Sequence, residues 1–433
     1  MTEPASDDIT LRACRSIADI DACAWDACAN PEKPHSNKAL TINLESESEP
    51  PESKSKPFES VSNPVESNSK PDESFSQEEH YNPFISHAFL AALEASQSVG
   101  RSAGWSPVHL TAHAPDGTLI GAAPTYLKSH SMGEYVFDHA WADAYERAGE
   151  SYYPKLQVAV PFTPVTGRRL LMTQGKEHAR PALIRGLNAL MHQTKASSLH
   201  ITFPTADEQT ACTEEGMLAR TGQQFHFFNP GYRDFDDFLS ELSSRKRKMI
   251  RKEREQALSA GIEIEHLTGA AIRQEHWDAF YTFYIDTGSR KWGRPYLTRA
   301  FFDRIGATMA EDILLVMAKR GGKTIAGAIN FIGADALYGR NWGAIEDHPC
   351  LHFEACYYQA IDFAILKGLK RVEAGAQGEH KLARGYRPVV THSAHAFADP
   401  RLERAVANFL THERAQVDAT IEIYGEHVPF KKI

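Results

Sequence analysis

Residues 312–333, DILLVMAKRGGKTIAGAINFIG, hold two apolar runs on either side of Gly321-Gly322. Two strand-like runs joined by two glycines predict an antiparallel hairpin, because the tight turn needs positive φ angles that glycine adopts freely. A degenerate copy stands at 107–128, PVHLTAHAPDGTLIGAAPTYLK, with Asp116-Gly117 as its turn. The chain therefore contains this hairpin twice.

Other matched segments flank the two hairpins in the same order and divide the chain near residue 260. The pairs are ITLRAC (9–14) with IEIEHL (262–267), Trp25-Asp26-Ala27 with Trp277-Asp278-Ala279, PFISHAFL (83–90) with PYLTRAFF (295–302), and Leu218-Ala219-Arg220 with Leu382-Ala383-Arg384. Ordered self-similarity on this scale indicates a tandem repeat.

Each half has the predicted element order β-α-α-β-β-β-α-β. Ser86 and Thr298 are placed as N-caps of the second helix of each half, and Pro181 stands at the first position of a later helix. The predicted fold class is α/β with mixed α+β sheets, in two tandem domains that face one another across a shared crevice. A single undivided sheet would contradict that arrangement.

The composition changes between residues 31 and 80. This stretch holds 11 acidic residues and 5 lysines, so it carries −6 of the net charge of −9. It is rich in Ser, Glu, Pro and Lys and poor in apolar residues, which predicts a disordered insertion. The predicted division is 1–30 plus 81–232 for the first domain, 233–261 for a basic linking helix, and 262–433 for the second domain.

Bulk features exclude several classes of protein. No apolar run of the 433 residues approaches the ~20 needed to span a bilayer, so no integral membrane contact is expected. The N-terminus lacks the pattern of an export signal, and the 6 cysteines form no C-x-x-C pair, so we expect a cytoplasmic protein with reduced thiols. No metal is expected, because Pro349 disrupts a shared helical turn between His348 and His352.

Several stretches resemble a known family. They are GEYVFDHAWADAY (133–145), YYPKLQVAVPFTPVTGRRLL (152–171), SSRKRKMIRKEREQA (243–257), LYGRNWG (337–343), LHFEACYYQAI (351–361) and GAQGEHKLARGYRP (375–388). Together they are similar to the FemAB-like predicted N-acyltransferases, which are related to peptidoglycan biosynthesis. The resemblance implies two tandem GNAT-like acyltransferase domains with a linking basic helix. The founding members transfer an amino acid from aminoacyl-tRNA to a peptide amine of a cell-wall precursor.

The loop at 373–386 is the main candidate site, because its glycines allow close backbone approach and its polar groups can move protons. Glu373, Gly378 and Lys381 resemble the acid, glycine and lysine that end this strand in related proteins. Glu373 is the predicted base, with Lys381 or Arg340 stabilising an oxyanion. Further predicted substrate-binding residues are Tyr338, Trp342, His352, Glu354, Gln377, Arg384 and Tyr386 in the second half, and Lys128, Glu134, Tyr153 and Lys155 in the first. An ordinary polar loop is the alternative interpretation.

The basic run at 245–254 predicts a helix that ends before Gly261. Arg247, Arg251 and Arg254 lie on one face of that helix and could bind the phosphates of tRNA or of a coenzyme. The alternative is a solvated helix whose arginines pair with nearby acids.

These features predict an N-acyltransferase that moves an acyl or aminoacyl group onto an amine of a small molecule or a cell-wall-type peptide. No cofactor is certain. The R/Q-x-x-G-x-G/A loop of acetyl-CoA enzymes has no clean copy here, which leaves both acyl-CoA and aminoacyl-tRNA open as donors. The alternative function is a non-catalytic peptide- or RNA-binding protein, and the sequence gives no oligomeric state. Convergence of Glu373, Lys381 and Arg340 on one point would favour catalysis.

Overall fold

The computed structural model of the protein describes residues 9–31, 81–291, 295–375 and 378–431. The predicted insertion, apart from residue 31, lies outside the described residues, as does Gln377. A hydrogen bond joins the segments before and after the insertion, because the backbone N–H of Asn82 donates to Asn30 Oδ1 at 2.8 Å. Within the described part of the chain, no helix combines the length and apolar character needed to cross a bilayer.

The first half of the chain is a mixture of short strands and helices. Its elements are β1 (Thr10–Cys14), α1 (Ala22–Ala29), α2 (His87–Ala95), β2 (Trp105–Pro107), β3 (His109–His113), β4 (Leu119–Ala123), β5 (Thr125–Lys128), α3 (His139–Arg147), β6 (Lys155–Val158), β7 (Leu171–Met172), α4 (Arg180–Gln193), β8 (Ser198–Thr202), α5 (Ala206–Glu214) and β9 (Leu218–Phe228).

The second half follows the basic helix and repeats this order with longer elements. Its elements, with the two connecting helices first, are α6 (Phe235–Glu241), α7 (Ser244–Leu258), β10 (Ile262–Thr268), α8 (Gln274–Lys291), α9 (Arg299–Thr308), β11 (Ile313–Arg320), β12 (Lys323–Ile332), β13 (Ala336–Ala344), α10 (Leu351–Phe353), a π-helical turn (Glu354–Tyr358), α11 (Gln359–Lys367), β14 (Arg371–Glu373), β15 (Arg387–Phe397) and α12 (Pro400–Glu426).

The local predictions of turns and caps are confirmed. Both hairpins form around the expected turns, and Gly117, Gly321 and Gly322 all have positive φ. Ser86 caps α2 by accepting a hydrogen bond from the backbone of Phe89. Thr298 stands at the N-cap of α9, but its hydroxyl instead donates to the carbonyl of Ser96, at the end of α2.

The strands form two sheets, and the larger one runs through both halves. Four strands form the order β1-β3-β4-β7, and eleven form β10-β11-β12-β13-β14-β9-β15-β8-β6-β5-β2. The parallel pairs β13–β14 and β6–β8 occupy equivalent places in the two halves. The halves are therefore alike in topology, as predicted, but they join edge to edge rather than facing each other as separate sheets across a crevice.

The join is made by exchanged strands. β9, from the first half of the chain, pairs with β14 of the second, and β15 pairs with β8 of the first. β9 and β15 then pair with each other, with Gly222 opposite Thr391. Each half therefore completes its sheet with the last strand of the other. The predicted match of the three residues Leu218-Ala219-Arg220 to Leu382-Ala383-Arg384 is wrong, because the first segment lies on β9 and the second precedes the equivalent strand β15.

One apolar core connects the two halves. It contains both repeated tryptophans, Trp25 and Trp277, and the aromatic pair Phe89 and Phe301, whose rings meet edge to face with centroids 5.7 Å apart. The helices α2 and α9 that carry this pair are the matched segments of the repeat. Burial of such large apolar side chains is the main stabilising term of the interface between the halves.

Candidate active site

Strand β13 carries a bulge at Arg340. Asn330 of β12 pairs with Gly339, and Ile329 pairs with Asn341, so Arg340 is the extra residue on its strand. A bulge interrupts the alternation of side chains and aims the extra residue in a new direction. Residues before and after Arg340 therefore differ in the face of the sheet that they occupy.

Tyr338 and Trp342 lie on opposite sides of this bulge. Tyr338 packs in the core between the halves, with its ring centroid 5.3 Å from that of Phe84. Trp342 belongs to a different apolar cluster and contacts His352 at 5.5 Å between ring centroids. Contrary to the prediction, Tyr338 does not line one groove with Trp342 and His352.

Glu373 ends β14 directly opposite His226 of β9. Its side chain is only 3% exposed. Glu373 Oε1 accepts a hydrogen bond from Arg371 Nε at 3.0 Å, while Oε2 lies 3.7 Å from His226 Nε2 and has no hydrogen-bond partner among the described residues. A buried oxygen without a donor is unusual, and it leaves this carboxylate able to accept a proton from a ligand.

His226 is a functional candidate that the sequence reasoning missed. Burial lowers the pKa of His226 to about 4, although the carboxylate of Glu373 opposes the shift. The imidazole is therefore neutral near pH 7 and is a weaker proton acceptor than an exposed histidine. A signal was present, because His226-Phe227-Phe228 and His395-Ala396-Phe397 occupy the same positions in the two exchanged strands.

Arg340 lies near this pair. Its Nη2 donates to the backbone carbonyl of Phe162, in the first half of the chain. Burial lowers the pKa of Arg340, whereas Tyr135 and the carboxylate of Glu373 oppose that shift. Since an arginine stays protonated in proteins, Arg340 supplies a fixed positive charge within electrostatic range of Glu373.

Lys381 completes the predicted catalytic set. Its side chain is buried, and its Nζ donates to the carbonyl of Gly375 at 2.8 Å. Burial lowers the pKa of Lys381 to about 7, so it changes charge near neutrality. Its charge also acts on His226. Among the described residues, Glu373, Lys381 and Arg340 share no hydrogen bond or ion pair with one another. Arg340 is within electrostatic range of Glu373, and Lys381 is within range of His226, so the three predicted groups do not meet at one hydrogen-bonded point.

Two predicted substrate-binding residues of the same loop are engaged inside the protein. Arg384 donates to both oxygens of Glu253, with Nη2 2.8 Å from Oε1, and its guanidinium lies 3.5 Å above the ring centroid of Phe353. Tyr386 is buried in the apolar cluster of the second half. These contacts tie the loop to α7 and leave little of either side chain for a ligand.

The three arginines of α7 have different surroundings. Arg254 contacts Asp362 at 2.6 Å and the buried Glu354 at 3.0 Å, so Glu354 lies in an internal ion pair. Arg251 is exposed and pairs with Asp236 at 2.8 Å. Arg247 has no ion pair within the described residues. Arg254 is therefore engaged inside the protein, whereas Arg251 is held by a surface ion pair that a phosphate could replace.

The first half gathers its own predicted polar residues into a buried cluster. Lys155 Nζ donates to Glu134 Oε2 at 2.9 Å and also to Asp138, while Lys128 Nζ lies 3.2 Å from Glu134 Oε1. Tyr153 is joined to the cluster through Ser131, which accepts from both Tyr153 and Lys155 at 2.8 Å. The two lysines and two carboxylates balance in charge.

Burial shifts the pKa values of the ionisable side chains in this cluster. It lowers the pKa of Lys128 to about 7, although Glu134 opposes the shift. Burial also raises the pKa of Asp138, but Lys155 outweighs it and the pKa ends below its ordinary value. Lys128, Glu134 and Lys155 are all buried, so they support the fold instead of presenting a surface to an acceptor.

A hydrogen-bonded chain leads from this cluster to β15. Tyr152 donates to Asp138 Oδ2 at 2.6 Å and lies 3.0 Å from His200 Nε2. The Nδ1 atoms of His200 and His395 are 2.8 Å apart, and His395 Nε2 is 2.9 Å from Ser393 Oγ. Burial lowers the pKa of both histidines, so the chain is built from neutral rings.

A cavity of about 390 Å³ lies where β9 and β15 pair. We call it the central pocket, and its lining includes Tyr135, Phe203, Thr221, Gln223, Gln224 and Ser393. Gln224 Oε1 is 3.3 Å from His226 Nε2, while Ser393 bonds to His395. The central pocket therefore adjoins both histidines of the exchanged strands.

Three aromatic residues around the central pocket and Arg340 have left-handed backbone conformations. Their φ angles are 60° for Tyr135, 59° for Phe162 and 55° for Phe203. Bulky residues adopt such angles at a cost of about 1–3 kcal/mol each and are concentrated at functional sites. Gln97, Lys195 and Cys350, in other parts of the chain, also have positive φ.

The chain is similar to known proteins in its family profile and in its backbone fold. The profile of the FemAB-like family, described as peptidoglycan biosynthesis/recognition, matches residues 68–432. No curated protein gives a significant sequence match.

Three solved structures illustrate the likeness in chain path. L-PGS from Bacillus licheniformis is 10% identical with a TM-score of 0.46, over 76% of this chain and 98% of that one. FemX is 12% identical with a TM-score of 0.45, over 72% and 93% of the two chains. A tandem GNAT protein from the clavulanic acid biosynthesis pathway is 10% identical with a TM-score of 0.40, over 91% and 99%.

Proposed function

The chain belongs to the FemAB-like family of peptidoglycan biosynthesis and recognition proteins, and from this premise we propose that it is an N-acyltransferase. It moves an acyl or aminoacyl group from an activated donor to an amine of a cell-wall-type peptide precursor. The observation that carries the proposal is the buried carboxylate of Glu373, which faces His226 with one oxygen unpartnered.

Acyl transfer to an amine requires a group that takes the proton of the attacking nitrogen. Glu373 Oε2 is free of hydrogen bonds, and the neutral His226 lies 3.7 Å away. Glu373 is the member of this pair that receives the proton, and the neutral His226 lies beside the carboxylic acid that results. The bond that forms joins the amine nitrogen to the acyl carbon, and the bond that breaks joins that carbon to the donor's leaving group.

The tetrahedral intermediate carries a negative oxygen that must be stabilised. Arg340 supports this step, because it is permanently charged and is held by the carbonyl of Phe162. Lys381, whose burial lowers its pKa to about 7, contributes a positive charge only when protonated. The charges around Glu373 are thus suited to an oxyanion as well as to a proton acceptor.

The test is donor consumption. The purified protein is incubated with labelled acyl-CoA and labelled aminoacyl-tRNA pools and a peptide amine, and depletion of each donor is followed. We expect one pool to be consumed, and Glu373→Gln to slow that consumption by about 10²–10⁴-fold, the usual contribution of a general base.

Glu422→Gln, an exposed change on α12, is the matched control and should consume donor at the normal rate. Circular dichroism and melting temperature show that both variants are folded. Equal consumption by Glu373→Gln and the parent protein would remove Glu373 from the mechanism.

A second candidate is a non-catalytic peptide-binding protein. It is favoured by the internal contacts of Lys381 with Gly375 and of Arg384 with Glu253. The same assay separates the two, because a binding protein retains the peptide and consumes neither donor.

A further inference from the structure

Arg340 of the second half is held by a residue of the first half. Its Nη2 donates to the backbone carbonyl of Phe162, and Phe162 has a φ of 59°. Bulky residues rarely adopt this left-handed conformation, which persists only where the surrounding structure fixes it. The groups that fix Phe162 therefore also determine the direction of the carbonyl that holds Arg340.

Phe162 is fixed by one hydrogen bond and by close packing of its ring. Its backbone N–H donates to the carbonyl of Gly133 at 3.1 Å. Its ring stacks on Tyr296 with centroids 4.6 Å apart and meets the ring of Trp105 at 5.4 Å. Gly133 has a φ of 85°, and a Cβ at that position would lie 2.5 Å from the ring of Phe162. Only glycine allows so close an approach, so the loop between β5 and α3 (129–138) abuts Phe162 directly.

Lys128, at the end of β5, fastens this loop. Its Nζ donates to the carbonyl of Met132 at 2.8 Å and lies 3.2 Å from Glu134 Oε1. These two residues stand on either side of the loop glycine. The same Nζ lies 3.4 Å from the centroid of the Trp105 ring, which is a cation–π contact. One buried ammonium thus holds the loop and the indole ring together.

The ammonium of Lys128 can lose its charge near neutrality. Burial lowers the pKa of Lys128 to about 7, although Glu134 and Asp138 oppose the shift and Lys155 adds to it. The nearby His130 is neutral near pH 7, because burial and the charge of Lys128 lower the pKa of its imidazole. A neutral amine can still donate to the loop carbonyl, but it loses its attraction to the carboxylate and to the indole ring.

We propose that Lys128 is a positioning residue for the catalytic centre of the second half, because its ammonium fixes the loop that orients Phe162 and thereby Arg340. Lys128 acts through the backbone of Phe162 and not through contact with the reacting groups. The catalytic role of Arg340 rests on the proposed function, whereas the coupling of Lys128 to Arg340 rests on the contacts between them.

The coupling is tested without any assay of activity, on the full chain made with ¹⁵N-labelled arginine. The NMR signal of the Arg340 Nε–H group is identified by its loss in Arg340→Met. We expect this signal to move as the pH rises through about 7, because Lys128 loses its charge there. In Lys128→Met the signal should stay in place over the same range of pH.

Two control variants accompany this titration. Lys381→Met removes the other lysine whose pKa burial lowers to about 7, and the movement of the Arg340 signal should persist in it. Lys367→Met removes an exposed lysine that lies over the ring of Phe363 in the second half, and the movement should persist there as well.

Transfer gives a second measurement, made at about pH 6, where Lys128 is charged. Lys128→Met should slow single-turnover transfer at saturating acceptor by about 10- to 100-fold, because a displaced Arg340 stabilises the oxyanion less well. The acceptor concentration that gives half the maximal rate should change by less than about 2-fold. Gly133→Ala should show the same pattern, since its methyl group displaces the ring of Phe162, while Lys367→Met should transfer at the parent rate. Circular dichroism shows that the variants are folded.

An Arg340 signal that does not respond to pH near 7 in the parent protein would overturn the proposal, as would a response that persists in Lys128→Met. Unchanged transfer in Lys128→Met would remove Lys128 from the positioning of Arg340. A parent protein that shows the NMR response but consumes no donor would contradict the N-acyltransferase proposal and still support the coupling.

Discussion

The exchanged strands place equivalent pairs of buried side chains in the two halves, and the pairs differ in charge. On β8 and β15, His200 faces His395 at 2.8 Å between Nδ1 atoms. On β14 and β9, Glu373 faces His226 at 3.7 Å. The duplicated fold thus provides the same position twice, once with two neutral rings and once with a carboxylate.

The side chains around the His200–His395 pair and around the Glu373–His226 pair also differ in charge. In the first half, Lys128 and Lys155 are balanced by Glu134 and Asp138. In the second half, the basic side chains outnumber the acidic ones. The acids are Glu373 and Asp335, and each forms an ion pair with Arg371. The other two basic residues are Arg340 and Lys381. A balanced buried network stabilises structure, whereas an excess of positive charge beside a free carboxylate oxygen is what acyl transfer uses.

Replacing one buried lysine in each half gives the largest expected contrast in stability. Lys155→Met leaves Asp138 without its cation and should cost about 3–5 kcal/mol of unfolding free energy. Lys381→Met removes an ammonium that donates to one carbonyl and whose pKa burial lowers to about 7, so at pH 7 it should leave the unfolding free energy unchanged or raise it while slowing transfer. Urea unfolding measures both. Equal losses of unfolding free energy in the two variants would show that the buried lysines of the two halves contribute equally to stability.

The equivalent histidines sharpen the comparison through rate. His226→Gln should slow single-turnover transfer by about 100-fold, as expected when a proton acceptor is disturbed. His395→Gln should leave that rate unchanged at saturating acceptor and lower the unfolding free energy by about 1–3 kcal/mol, because His200 and Ser393 lose a partner. Reversed effects would assign the chemistry to the first half.

The pH dependence of stability separates the contributions of the lysines. Burial lowers the pKa of Lys381 to about 7, whereas an unfolded lysine keeps its proton to about pH 10.4. Above about pH 7 the unfolded chain therefore binds more protons, and stability rises with pH by about 1.4 kcal/mol per unit for each such lysine. Lys381→Met should reduce this slope by one lysine's share between about pH 7 and 9, leaving the share of Lys128. If the slope of unfolding free energy against pH is unchanged in this variant, the pKa of Lys381 is not lowered in the folded protein.

The smallest expected effect on stability concerns α7. Arg251→Gln removes an exposed ion pair and should cost less than about 0.5 kcal/mol. If α7 binds the phosphates of tRNA, the same change should reduce the salt dependence of tRNA binding by about 0.7–0.9 in log–log slope. Filter binding at several salt concentrations measures this. An unchanged slope would favour the alternative of a solvated helix.

Local features could be predicted from the sequence because their causes are local. The glycine turns of the two hairpins and the cap at Ser86 depend on residues within a few positions of each other.

The rest depended on distant parts of the chain. The partner of Arg254 is Asp362, 108 residues away, so a helix that looks free to bind phosphate has one arginine held inside. The bulge at Arg340 places Tyr338 and Trp342 on different faces of the sheet, whereas in a regular strand positions 338, 340 and 342 would share one face. The strand exchange itself leaves only His226 and His395 as a trace in the sequence.

The same exchange has a consequence for synthesis on the ribosome. β8 ends at Thr202, but its neighbour β15 begins at Arg387. At about 5–20 residues per second, the nascent first half waits roughly 10–40 s with an unpaired sheet edge before its missing strand emerges. Chaperone dependence during translation, rather than fragility of the finished protein, is therefore where this architecture should be most vulnerable.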